Sequence, residues 1–189
     1  MLILVRHGRT AANAAGLLQG RLDPPLDAVG EDQAERIGGA LTGVHRVVSS
    51  PLLRARQTAL RISGTIDIDE RWQEISYGIY EGRPQADVPA GEWERWRNDP
   101  THCVEGGESL AALAERTTAA VLDLLDEARD RDVVVVSHVS PIKAAMAWAL
   151  GVGVDISWRC QLDQAAITRI AVGARGASLR SFNDVAHLR

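Results

Sequence analysis

Short apolar blocks alternate along this chain with stretches of helical period, and each block closes on polar residues. Leu2 to Val5 is a run of four apolar residues, too few for a helix core and of the length of a buried parallel strand. Val44 to Ser49 predicts a second strand closed by Ser49-Ser50-Pro51, and Thr65 to Ile68 a short third. Val133 to Val136 is the strongest strand signal, four valines that run into Ser137-His138. Between the strands, Asp27 reads as the N-cap of a helix to about Leu41, with Ala34, Ile37 and Leu41 on one face. Pro51 suits the first turn of a helix to about Ile62. Ser109 caps a long helix with its apolar stripe at Leu110, Leu113, Val121, Leu124 and Leu125, and Ser140 with Pro141 reads as N-cap and first turn of a helix to Leu150. Ala165 to Val172 and Ser178 to Phe182 alternate around Gly173-Ala174-Arg175-Gly176, the pattern of a hairpin at a sheet edge.

The stretches left over are loops with content. Ala11 to Arg21 has a short helical tendency, and Asp23-Pro24-Pro25 is a turn. Glu70 to Gly82 is rich in Trp, Tyr and Glu, and Arg83 to Glu108 is irregular, with Trp93 and Trp96 on a short helix. Strands alternating with helices, without internal repeat or linker, predict one α/β domain over residues 1–189 with a mostly parallel sheet flanked by helices.

Composition narrows the class of partner. The chain's 189 residues suffice for one well-filled core and fall short for two. A formal net charge of −4 argues against nucleic acid or an anionic membrane as partner, since these select a basic face. A small anionic substrate stays open, because local arginines set the field of a pocket. Cys103 and Cys160 lack metal-ligand spacing and are too few for a disulfide scaffold, which fits a reduced, cytoplasmic protein. The N-terminal apolar run lacks the length and basic flank of a signal peptide, and no stretch has the length of a membrane span. The apolar C-terminal hairpin is an edge on which a second copy would pair as a homodimer.

Two apolar strands far apart in sequence each run into a histidine, His7 and His138. Parallel in one sheet, they would bring both imidazoles to one edge, and ligands bind beyond the carboxyl ends of such strands. The second strand delivers Ser50 and Arg54 to the same edge. Arg6, Arg54 and two histidines suit a dianionic tetrahedral group, since guanidinium forks match phosphate oxygens. Helix starts after Ser50 and Ser140 would add oriented N–H donors. The pocket needs no metal and no cofactor.

The run Arg6-His7-Gly8-x-Thr10 resembles the signature of the histidine phosphatase superfamily, the phosphoglycerate-mutase-like proteins. Asn13, Gln19-Gly20, Pro25-Leu26 with Gly30, and Ser50-Pro51-Leu52-x-Arg54-Ala55-x-Gln57-Thr58-Ala59 resemble its later motifs in their order. Glu74 with Gly78 and Glu81-Gly82 resembles its acid loop, and Gly106-Gly107-Glu108-Ser109 and Ser137-His138 complete the set. The ending His138-Val139-Ser140-Pro141-Ile142-Lys143, where the family commonly has glycines, resembles the α-ribazole-phosphatase-like and acid phosphatase branch, as do Asn183-Asp184 and His187-Leu188.

The resemblance implies a three-layer sandwich and two-step phosphoryl transfer through a phosphohistidine. His7 would be the nucleophile. Arg6, Arg54 and His138 would clamp the equatorial oxygens, and Glu74 would protonate the leaving alkoxide and then take a proton from water. Asn13, Gln19, Gly20, Thr10 and Val139 would contact the substrate. Asp69, Glu70 and Glu81 are the rival carboxylates; Arg9 and Arg56 read as surface charges, and His45, His102 and His187 as structural or surface. A mutase must exclude water from the phosphoenzyme, and only a short cap around 83–105 is at hand, so the reading is a phosphomonoesterase of a small phosphorylated metabolite. The alternatives are a phosphoglycerate-mutase-like phosphotransferase and a non-catalytic protein that binds phosphorylated ligands.

Overall fold

The computed structural model describes all 189 residues. The strands are β1 (Leu2–Arg6), β2 (Arg46–Ser49), β3 (Asp67–Ile68), β4 (Val133–Ser137), β5 (Ile167–Gly173) and β6 (Gly176–Asp184). They form one sheet in the order β3-β2-β4-β1-β5-β6. The pairs β2–β3, β2–β4 and β1–β4 are parallel, while β5 and β6 add antiparallel to the β1 side. The predicted C-terminal hairpin is present, with irregular register between β5 and β6, and β6 is the edge strand.

Six α-helices accompany the sheet: α1 (Ala11–Ala14), α2 (Ala28–Ala40), α3 (Leu53–Ala59), α4 (Ala90–Asn98), α5 (Leu110–Asp130) and α6 (Val139–Leu150). Strand side chains alternate between faces, and the core divides accordingly. Leu2, Leu4, Val133 and Val135 pack with Val121 and Leu124 of α5 and Ile142 and Ala145 of α6. Ile3, Val5, Val134 and Val136 pack with Ile37 of α2 and Ala55 and Ala59 of α3. Two helical layers thus sandwich the sheet, and both faces of β1 and β4 are dry, which is why these strands read as unbroken apolar runs. Full burial of each such aliphatic side chain contributes about 1.5–3 kcal/mol.

Caps explain where several helices begin. Asp27 accepts from the N–H of Gly30 and Ser109 from that of Ala112, as their sequences predict. Two starts differ from expectation. α3 begins at Leu53, beyond Pro51, and the N–H of Leu53 donates to Asp23 across the chain. α6 begins at Val139 with His138 at the cap position, so Ser140 and Pro141 lie inside its first turn. α1 is a single turn where a loop with helical tendency was expected, closed by reciprocal hydrogen bonds of Thr10 and Asn13.

The loop leaving β1 lies against the start of α2. A Cβ at Gly8 would run into the carbonyl of Gly30, and one at Gly30 into the backbone of Arg9. Only glycine permits that approach, and it seats the residue after His7 firmly on the scaffold. No helix is long and apolar enough to cross a membrane.

Candidate active site

β1 and β4 pair in register, with Arg6 opposite Ser137. A histidine follows on each strand, so His7 and His138 leave the same edge with ring centroids 5.0 Å apart and planes at 60°. His7 is 3% exposed and His138 is fully buried. Nδ1 of His7 lies 2.7 Å from the carbonyl oxygen of Gly8. A carbonyl only accepts, so this contact assigns the proton to Nδ1 and leaves the lone pair on Nε2. Nε of Arg54 donates to that Nε2 at 3.2 Å.

Burial, then the charges of Arg54 and Arg6, hold His7 well below the ordinary histidine value. His138 is lowered by burial first, then by Arg54, His7 and Arg6. Both rings are therefore neutral at neutral pH. Nε2 of His138 meets Oγ of Ser50 at 2.8 Å, while its Nδ1 has no partner. The folded protein binds fewer protons than the unfolded chain between these depressed values and about pH 6.5. Stability accordingly rises with pH through that window and falls as pH drops below about 6.5. Asp69, Asp163 and Asp184 are also lowered, but their contributions are lost only below about pH 4. The urea midpoint should fall between about pH 7 and pH 5, and His138→Gln should flatten that slope; equal slopes in both proteins would show that this histidine does not set the dependence.

Arg54 is 1% exposed, its guanidinium held by the carbonyls of Leu22 (2.6 Å) and Gly20 (2.8 Å). Arg6 donates Nη1 to the carbonyl of Leu162 at 2.6 Å, and its buried Nε has no partner. Burial lowers both guanidinium values, and the charge of Glu74 opposes this in each. An arginine keeps its proton regardless, so two fixed cations stand beside the neutral imidazole.

Glu74 is 7% exposed. Its Oε1 accepts from the N–H groups of Ile75 (2.9 Å) and Ser140 (3.1 Å), and its Oε2 from that of Val139 (3.1 Å). The carboxylate thus caps α6 from a distant loop, a favourable place for negative charge. The donors expected free at the starts of α3 and α6 are engaged by Asp23 and Glu74. Arg116 of α5 fastens the Glu74 loop: it grips Glu108 through Nε (2.6 Å) and Nη2 (2.8 Å) and donates to the carbonyls of Arg71 and Glu74.

These groups surround a cavity of about 140 Å³. Arg6, His7, Arg54, Glu74, Asn13, Gln19, Gly20 and Val139 all line it, with Tyr77 and Gln85 added. His138 stands behind His7, and Thr10 does not reach the cavity. Thr10 instead sits between Asn13 and Gln19, with its hydroxyl 3.0 Å and 2.9 Å from their carbonyl oxygens. The hydroxyl has one proton, so it donates to one of these two amide oxygens at a time. No set of three or more His, Cys, Asp or Glu side chains comes together as a metal site.

Sequence reading passed over Arg116, which sits on the polar face of α5 with no motif to mark it. Tyr77, which also lines the cavity, is buried, and burial first, then the charge of Glu74, pushes its hydroxyl up. Of the rival carboxylates, Glu81 serves the backbone, accepting from the N–H groups of Arg21 and Tyr77. Arg9 pairs with Asp27 at the surface, and His102 lies 2.5 Å from Glu92.

The family model of the histidine phosphatase superfamily (branch 1) matches residues 2–185. Phosphoserine phosphatase 1 of Hydrogenobacter thermophilus is 33% identical over 198 residues, covering 99% of this chain and 93% of that protein. A mutant of the phosphoserine phosphatase of Entamoeba histolytica, solved in complex with phosphoserine, superposes with a TM-score of 0.92 at 29% identity, covering 100% of this chain and 98% of that one. A putative α-ribazole-5′-P phosphatase from Escherichia coli superposes with a TM-score of 0.84 at 29% identity, covering 97% and 95%. With the sheet order, the paired histidines and the arginine-lined cavity on the page, these matches agree with the motif order of the sequence: the chain belongs to the histidine phosphatase superfamily, branch 1, and is a phosphatase of that superfamily.

Proposed function

We propose that the chain is a metal-independent phosphomonoesterase that hydrolyses a small phosphorylated metabolite through a phosphohistidine on Nε2 of His7. The observation that carries this reading is the state of His7: buried, neutral, its Nδ1 anchored to a carbonyl and its Nε2 turned to Arg54. A neutral imidazole in that tautomer has a lone pair to give.

In the first step Nε2 attacks phosphorus in line, the bond to the ester oxygen breaks, and Glu74, which must enter this step in its protonated form, gives that proton to the departing alkoxide and is left as the carboxylate. In the second, Glu74 takes a proton from water as the water attacks, the P–N bond breaks and inorganic phosphate leaves. Arg6 and Arg54 stabilise the charge on the equatorial oxygens; His138 stands behind His7, and its one unpartnered atom, Nδ1, is the group with which it would act as the third clamp. Their preset positions mean little rearrangement is needed as that charge develops. The NH₂ groups of Asn13 and Gln19 reach the phosphoryl group or the substrate beyond it, with Thr10 positioning both. Gly20 and Val139 form walls of the cavity. The cap is the segment 83–105, which holds α4 and places Gln85 on the cavity. The chain's two free thiols, Cys103 and Cys160, fit a cytoplasmic enzyme.

The relatives extend the substrate expectation to phosphoserine and α-ribazole phosphate. Phosphate release from these, p-nitrophenyl phosphate, phosphoglycerates, sugar phosphates and nucleotides, measured with chelator present, tests the reading. Chelator-insensitive release is expected. Isomerisation of a phosphoglycerate without release would make the chain a mutase, and a folded protein inert toward all of them would make it a binding protein.

A further inference from the structure

Tyr77 and Val139 separate the phosphoryl cavity from a second one of about 100 Å³. Ile75, Leu110, Trp96 and Trp158 give this neighbour an apolar wall, and Lys143 and Ser157 give it a polar end. Lys143 is the single lysine of a chain with twenty arginines. Lysine normally carries its ammonium into water, yet here it is half-buried and makes no ion pair. Its Nζ donates to the carbonyl of Ser157 at 2.9 Å, which leaves two of its three donors unused. The hydroxyl of Ser157, a residue 7% exposed, has no hydrogen-bond partner.

Position supports a link between the two cavities. Lys143 follows Val139 by four residues on α6, so it lies on the same helix face roughly 6 Å further along the axis. Glu108, the one carboxylate on this wall, is spent on Arg116 and Arg21. The neighbour therefore offers one uncompensated cation and one unpaired hydroxyl beside an aromatic wall. Burial lowers the lysine value, with Cys160 and Glu74 opposing; an anion beside the ammonium would offset that desolvation.

We infer that this second cavity receives the alcohol part of the substrate and that Lys143, with Ser157, holds a carboxylate there, selecting phosphomonoesters whose alcohol joins an apolar body to a carboxylate. The inference rests on the phosphatase reading for the place of the phosphoryl group.

Two matched probes test it, benzyl phosphate and 4-carboxybenzyl phosphate. The wild type is expected to prefer the carboxylated ester, and Lys143→Met to reduce that ratio of kcat/KM about tenfold, mainly through KM. A structural role would lower both esters together and keep the ratio, which overturns the inference. The second readout needs no turnover and no variant. Reductive methylation with ¹³C-formaldehyde keeps the charge of an amine and marks only Lys143 and the N-terminus. Addition of 4-carboxybenzylphosphonate should move the Lys143 signal more than benzylphosphonate does. Equal shifts, or none from either, overturn the subsite. Should the wild type hydrolyse neither ester, the phosphatase reading falls while the labelled signal still decides the subsite.

Discussion

Replacing His7 with alanine removes turnover of every phosphomonoester, by about four orders of magnitude or more, and removes the phosphoenzyme with it. The covalent route depends on one lone pair, and no second side chain is placed to supply it: Nε2 of His138 is turned to Ser50. Arg6 and Arg54 keep their backbone anchors in the variant, since Leu162, Leu22 and Gly20 hold them without help from His7. Binding of phosphate should therefore persist while chemistry stops. Quenched wild-type enzyme should carry phosphate in an acid-labile, alkali-stable linkage, as a P–N bond requires. A variant that retained turnover within tenfold of wild type would mean that water attacks phosphorus directly and that His7 only shapes the pocket.

Glu74→Gln is expected to cost about 10²–10⁴ in kcat with alkyl phosphates and much less with p-nitrophenyl phosphate. An alkoxide needs a proton to leave, whereas nitrophenolate departs without one, so the ratio of the two effects isolates the proton transfer. The same change carries a structural cost that must be read separately. The carboxylate accepts three N–H groups over its two oxygens, and an amide offers one oxygen and turns an NH₂ against a donor. Loss of that cap should lower stability by about 1–2 kcal/mol, visible in urea unfolding. If both substrates slow equally, Glu74 is a cap for α6 and the proton travels by another group.

Strand positions and the histidines that follow them were legible because dry parallel strands leave unbroken apolar runs ending in polar residues. Their adjacency was a supposition: β1 and β4 are separated by most of the chain, and only the sheet order brings them together. Helix starts were legible where the cap is local, at Asp27 and Ser109. Ser140-Pro141 misled because the cap of α6 is supplied by Glu74 from another part of the chain, and local preference cannot see a tertiary partner. The same limit misplaced Thr10, expected on the substrate but standing behind Asn13 and Gln19. The second cavity was invisible for a related reason, since its walls come from the Glu74 loop, α4, α6 and the turn after α6.

The ladder between β1 and β4 sets the separation of the two histidines, and no loop is asked to maintain it. The segments that meet the leaving group hang on that frame as separate pieces. Chemistry and taste are thereby uncoupled: a lineage can lengthen, shorten or exchange the piece between Arg83 and Glu105 and inherit a working phosphoryl pocket each time. For an engineer the same property makes selectivity portable, because a cap transplanted onto this edge would find the nucleophile already in its place.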